Sequence, residues 1–149
     1  MHYLYEKHVL KTDLDSAWKF FSNPENLGEI TPPEMQFKIL SILPKQMYPG
    51  MIIRYRVKPL LGIPMTWVTE ITHVEEKKYF IDVQLSGPYK VWHHEHHFKE
   101  VEDGVEMTDI LHYSLPMGFL GRILNFLWIG REVRRIFEYR KGRLEEVTE

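Results

Sequence analysis

The sequence predicts an α+β domain in which a series of β-strands precedes one long C-terminal helix. Three observations predict it. Between residues 35 and 115, runs of β-branched and aromatic residues alternate with Gly, Pro and Asp punctuation, as strands and their turns do. After Pro116 apolar residues recur at helical spacing to about residue 146. The 149-residue chain has no repeat, low-complexity segment or dividing linker, so a single domain over 1–149 is expected. At that size folding buries roughly 70% of the unfolded surface, enough for a core without covalent staples.

In chain order, residues 2–11 alternate as a strand does. Asp13 and Asp15 then open a short helix carrying Ala17, Trp18, Phe20 and Phe21, which stops at Asn23-Pro24. A second short helical piece over 25–30 ends at Thr31-Pro32-Pro33. Six strand candidates follow: MQFKILSI, MIIRYRVK, PMTWVTEITHV, KYFIDVQLS, the histidine-rich stretch of residues 87–98, and VEMTDILHYSL. Asp103-Gly104 reads as the hairpin turn between the last two. Arg54 and Arg56 alternate with Ile53, Tyr55 and Val57, as a solvated strand face does, and PLLGIPM reads as a hydrophobic loop of the kind that rims a pocket mouth.

Residues 118–146 read as one helix, interrupted weakly by Gly121, Gly130 and Gly142. Its second half opposes Ile129, Val133, Ile136, Phe137 and Leu144 to Arg131, Arg134, Arg135, Arg140, Lys141 and Arg143, so it can lie on a sheet with the basic residues solvated. Its first half, FLGRILNFLWI, is apolar almost all round and needs cover on most sides, which a curved sheet enclosing the helix supplies. Leu120, Ile123, Leu127 and Phe137 are accordingly expected against the sheet. A homodimer interface or a membrane-surface contact through Phe126 and Trp128 is the alternative. The stretch is too short for a transmembrane segment, which takes about 20 apolar residues.

Composition removes several function classes. Nineteen basic residues against 21 acidic ones give a net charge of −2, no global field for nucleic acid, and no aromatic-plus-basic stripe accompanies it. With no cysteine there is no disulfide framework, thiolate metal site or thiol nucleophile. The first residues lack the apolar run of an export signal, and a cytoplasmic location is expected.

The stretch GPYKVWHHEHHF, residues 87–98, carries the most chemistry. On a strand, Trp92, His94, His96 and Phe98 share one face and Val91, His93, Glu95 and His97 the other. The first set suits a pocket wall and the second a solvated exterior. Across the Asp103-Gly104 turn, residue numbers that sum to about 205 pair His96 with Asp109, His94 with Leu111 and Trp92 with Tyr113.

These residues carry a family resemblance that spans essentially the whole chain. Ile30-Thr31-Pro32-Pro33, Trp67 with Glu70, Phe80, Asp82 and Gln84 before Gly87-Pro88-Tyr89, then Trp92, His94, His96 and Phe98, and finally Thr108-Asp109, Tyr113, Leu115-Pro116 and Gly118 together resemble the START-like, or SRPBCC, helix-grip superfamily. That superfamily includes pollen-allergen-like proteins, polyketide cyclases and lipid-transfer domains, and the likeness is nearest to its small stand-alone domains of unassigned function. The resemblance implies a helix-grip fold: an antiparallel sheet of about seven strands wrapped round the long helix, with two short helices after the first strand and an apolar cavity between sheet and helix. Such cavities bind small molecules through apolar walls and a few convergent polar groups.

The function expected on this basis is binding or carriage of a small apolar or aromatic molecule, lipid-like or polyketide-like, with a cyclase, dehydratase or hydrolase as the alternative. Trp67, Trp92, Tyr113, Leu124 and Phe137 are the expected wall residues, and His94, His96 and Asp109 the polar anchors. The His and Asp side chains read as a mutually satisfied polar pair, as ligand contacts, or as an acid/base pair, in that order of preference. No cofactor or metal is expected, although His-x-His with Asp109 could supply three ligands, with Glu70 and Asp82 as more distant candidates.

One conflict concerns facing. Before Gly87 the more apolar face holds Met65, Trp67 and Ile71 with Ile81, Val83 and Leu85, which leaves Glu70, Asp82 and Gln84 outside. A register change at Gly87-Pro88 reconciles this with inward His94 and His96, since burying further carboxylates without cations costs several kcal/mol. Inward carboxylates would instead strengthen the enzyme and metal readings.

Overall fold

The structure is a computed structural model that describes residues 1–60 and 62–148. Strand β1 (His2–Leu10) leads into helix α1 (Leu14–Phe21), whose N-terminus is capped by Asp13: its carboxylate accepts the Ser16 backbone N–H at 2.8 Å. Two 3₁₀ turns, Pro24–Ile30 and Pro33–Met35, follow where prolines occupy the first helical positions. The remaining strands are β2 (Lys38–Ile39), β3 (Met51–Leu60), β4 (Ile63–Glu75), β5 (Tyr79–Ser86), β6 (Val91–Val101) and β7 (Gly104–Ser114). They form one seven-stranded antiparallel sheet in the order β1-β7-β6-β5-β4-β3-β2.

The sheet carries the long C-terminal helix in three parts: α2 (Gly118–Leu124), a π turn (Asn125–Ile129) and α3 (Gly130–Thr148). The π turn is pinned to the sheet, since Tyr113 Oη donates to Asn125 Oδ1 at 2.8 Å and Asn125 Nδ2 lies 3.2 Å from His2 Nδ1. Three apolar clusters pack on the sheet, the smallest being Met51, Ile53 and Ile71. Of the larger two, Trp18, Phe80, Phe98, Val105, Met107 and Leu144 belong to one; Val57, Trp67, Tyr89, Leu111, Ile129, Val133 and Phe137 belong to the other.

Several expectations need correction. MQFKILSI forms only the two-residue β2, and PLLGIPM belongs mostly to a hairpin: β3 and β4 pair as far as Leu60↔Ile63, with Gly62 in the turn at φ +66°. Leu61 of that stretch lies outside the described residues. The helix packs on the sheet through Ile129, Val133, Phe137 and Leu144, but not through its first half. Leu120, Ile123 and Leu127 are exposed, as are Phe119 and Phe126. The sheet's own end aromatics, Trp67, Tyr89 and Tyr113, pack with Ile129 and Val133, and α2 lies beyond that contact. Among the described residues no helix is long and apolar enough to cross a membrane.

Candidate functional site

The site is built by the registers of β5, β6 and β7. Asp82 pairs with His94 and Phe80 with His96 across β5 and β6, while His96 pairs with Asp109 and His94 with Leu111 across β6 and β7. The last two pairings are those the Asp103-Gly104 turn predicts. Because opposed residues share a face, two imidazoles stand between two carboxylates on the concave side.

Each imidazole turns one nitrogen toward Asp109 and the other toward Asp82. His94 Nε2 lies 3.0 Å from Asp109 Oδ1, and its Nδ1 lies 3.7 Å from Asp82 Oδ2. His96 Nε2 lies 2.7 Å from Asp82 Oδ2. His96 Nδ1 is 2.9 Å from Asp109 Oδ1 but approaches too obliquely for a full hydrogen bond, and so has no well-directed partner. An ionised carboxylate only accepts, so His94 Nε2 and His96 Nε2 are the donors, which leaves the lone pair of a neutral His94 on Nδ1. The rings are 3.9 Å apart between centroids, His96 stacks on Phe80 at 4.3 Å, and Phe137 backs His94 at 5.4 Å.

Burial works to raise both carboxyl pKa values, but the imidazoles overcome it: Asp109 is held well below the usual range and Asp82 below it, the latter with help from Arg140. Burial lowers both histidines as well. For His96 the contacts with Asp109 and Asp82 win and its pKa is raised, whereas at His94 burial and the neighbouring His96 charge win and its pKa is lowered. The two carboxylates thus favour a proton on His96 over one on His94.

This cluster forms the polar end of a cavity of about 150 Å³ between the sheet, the α1 and 3₁₀ region, and α3. Asp82, His94 and His96 line it beside Tyr55, Thr69 and Arg140, and Tyr55 Oη meets Thr69 Oγ1 at 3.2 Å. The remaining wall is mostly apolar, with Phe20, Leu27, Ile30, Met47, Ile53, Ile71, Trp67 and Trp92 among its residues, and Asn23, Asn26 and Thr31 join it from the 3₁₀ region with their side chains bonded to nearby backbone. Arg140 lies over the Phe137 ring at 5.3 Å, and its Nε is buried without a partner.

Of the residues singled out from sequence, Trp67, Trp92, His94 and His96 border the cavity. Asp109 lies one layer behind it, 2% exposed. Tyr113 is buried and spent on Asn125, and Phe137 is buried against His94, so neither borders the cavity. Leu124 is exposed, on the turn beyond the sheet contact, and is not a wall residue.

The facing of β5 is the main correction. β5 and β6 pair without a break from Tyr79↔His97 to Val83↔His93, so Phe80, Asp82 and Gln84 face the concave side and Ile81, Val83 and Leu85 the other. The register change lies instead in β4, at shifts between Val68 and Thr69 and between Ile71 and His73, and Glu70 stays outside as expected. Asp82 is tolerated inside because His96 meets it at 2.7 Å, with His94 at 3.7 Å and the Arg140 charge adding to the effect. Gln84 holds the Gly87-Pro88 turn, donating to Tyr89 O at 2.7 Å and accepting from Tyr89 N–H at 3.1 Å. Arg140, read from sequence as solvated, had a visible signal: Val133, Phe137, Arg140 and Leu144 follow the 4-3-4 spacing of one helix face.

A curved antiparallel sheet closed by a C-terminal helix over an internal cavity defines the helix-grip class of fold. Solved structures of that class match nearly end to end. A START superfamily protein from Mycobacterium smegmatis matches with a TM-score of 0.73 at 13% identity, covering 99% of this chain and 100% of that one. Protein CV1439 from Chromobacterium violaceum matches at 0.75 and 9% identity over 99% and 98% of the two chains, and TTHA0849 from Thermus thermophilus at 0.69 and 14% over 97% and 95%. The START-like fold implied by the sequence is thus present, and at these identities the likeness concerns the fold alone. No protein-family profile and no curated protein matches the chain.

Proposed function

We propose that the chain binds or carries a small apolar or aromatic molecule in the cavity, with the polar end of that molecule against Asp82, His94 and His96. The observation that carries this reading is a mostly apolar cavity wall whose carboxylate, imidazole and guanidinium groups, Asp82, His94, His96 and Arg140, come from β5, β6 and α3. A cavity near 150 Å³ suits about one aromatic ring. The second reading is an enzyme of cyclase, dehydratase or hydrolase type. It is favoured by Asp82, which places a carboxylate beside the imidazole of His96 at the cavity surface.

Native mass spectrometry of protein purified from its source organism tests the reading. We expect a co-purifying apolar small molecule, released on denaturation, and its chemistry indicates which reaction to assay. Ile136→Trp, which fills the cavity from α3, should abolish that adduct while thermal unfolding shifts by only a few degrees. Persistence of the adduct in Ile136→Trp would place the molecule elsewhere.

A carrier also needs a place to exchange its cargo. We assign membrane-surface contact to the exposed apolar face of α2 and the π turn, where Phe119, Ile123 and Phe126 stand beside Arg122 and no acidic residue occurs between Asp109 and Glu132. Sedimentation with anionic vesicles should be lost in Phe119→Ser/Phe126→Ser; an unchanged bound fraction would remove this surface, and a concentration-dependent dimer lost in the same variant would reassign it to a second copy.

A further inference from the structure

Asp82 facing inward changes what the histidine pair can hold. Asp82 Oδ2, His94 Nδ1 and His96 Nε2 lie mutually within 4.8 Å at the cavity's polar end. Metal–donor bonds of about 2.0–2.2 Å require donors roughly 3–3.5 Å apart. The two Asp82 distances, 2.7 Å to His96 and 3.7 Å to His94, bracket that range, so small side-chain rotations suffice.

The opposite edges of the same rings supply the independent observation. His94 Nε2 and His96 Nδ1 both lie within 3.0 Å of Asp109 Oδ1, and Asp109 is almost completely buried. A carboxylate behind a ligating imidazole fixes its orientation and raises its basicity, and here one carboxylate serves two rings. With its Nε2–H directed at Asp109, the neutral form of His94 turns its Nδ1 lone pair toward Asp82, and His96 Nδ1, the nitrogen without a well-directed partner, would gain one if its ring turned to face a shared ion.

We propose that Asp82, His94 and His96 bind a divalent first-row transition ion, with Asp109 as the positioning carboxylate behind both imidazoles. Two nitrogens and one oxygen favour zinc, iron, cobalt or manganese over calcium or magnesium, which prefer all-oxygen sites. Three protein donors leave coordination positions open toward the cavity, where water or a polar group of a bound molecule completes the shell. The ion's charge offsets the two buried carboxylates, Asp82 and Asp109. The proposal goes beyond the cavity reading and is independent of it, because the probe is the metal alone.

The test is titration of chelator-treated full chain with Co²⁺, read by visible absorption and by paramagnetic broadening in NMR. We expect one equivalent bound, with broadening centred on Phe80, Trp92 and Phe137, whose rings surround the cluster. Asp82→Asn and His96→Gln should each weaken binding by more than about 100-fold, and Asp109→Asn by about 10- to 100-fold. A second group, His93, Glu95 and His112, lies on the outer face and is the control: His93→Gln/His112→Gln should leave the affinity unchanged. Binding weaker than about 100 μM overturns the proposal. So does binding lost with the outer pair, or broadening centred on Tyr3 and His112. Should Asp82→Asn fail to fold by circular dichroism, the broadening map of the wild type still decides. Loss of the organic adduct with metal binding intact would overturn only the cavity reading.

Discussion

Asp109→Asn is expected to lower the pKa of His96 and to cost about 3 kcal/mol of stability near pH 5 in the metal-free protein, with a smaller loss at alkaline pH. Asp109 touches both imidazoles from a position 2% exposed, so asparagine removes the charge that compensates His96 while preserving shape. The pH dependence follows from two opposite shifts. The Asp109 pKa is lowered in the folded state, so its contribution is present above the unfolded value of 3.8 and lost as pH falls through the folded value. The His96 pKa is raised, so its contribution is full below the unfolded value of 6.5 and lost as pH rises through the folded value. Both operate only between those limits, and there the variant should suffer most. Histidine NMR and urea denaturation at pH 5 and pH 8 check this. An unchanged His96 titration would disprove the coupling, and equal losses at both pH values would show that Asp109 matters through packing.

The same cluster shows where sequence reasoning succeeded and where it stopped. The pairing of His96 with Asp109 was legible because Asp103-Gly104 leaves little freedom between β6 and β7: a short turn sets the register and the two-residue period sets the face. β5 has no equally short connection to β6. Its facing had to be judged from hydrophobicity, and Ile81, Val83 and Leu85 outweigh Phe80, Asp82 and Gln84 on that scale. What reverses the judgement is tertiary: the imidazoles that neutralise Asp82 come from the neighbouring strand, and Gln84 is consumed by the Gly87-Pro88 turn. Arg140 was legible from its helix face but was set aside because a charge is normally solvated.

The start of the C-terminal helix failed for a different reason. FLGRILNFLWI has the composition of a buried segment, and periodicity cannot say whether this chain, a bilayer surface or another copy covers it. The π turn at Asn125 has no strong local signature either, since it is held by Tyr113 of β7 and by His2 at the far end of the sequence. The apolar residues of the second half are legible because an opposed basic face marks which side meets the sheet, with Arg140 the exception on that face.

Phe137→Ala is expected to cost about 3–5 kcal/mol, the usual range for emptying a buried aromatic site. Phe137 is 7% exposed; it packs on His94, lies under Arg140, and belongs to the cluster with Leu111, Ile129 and Val133 that fastens α3 to the sheet. Its removal should do more than destabilise. Phe137 stands between the cavity's polar end and the helix, so the vacated volume adjoins His94, and the variant should admit larger aromatic probes than the wild type does. Phe137→Leu, which keeps most of the apolar volume, should lose only about 1–2 kcal/mol and keep the wild-type size preference. Urea denaturation and a graded series of fluorescent aromatic probes separate the two effects. A loss under about 1 kcal/mol for the alanine variant would contradict the core position of Phe137. Full destabilisation with an unaltered probe-size limit would show that the helix collapses onto His94, and that the size of the cavity is set by the sheet and the 3₁₀ region instead.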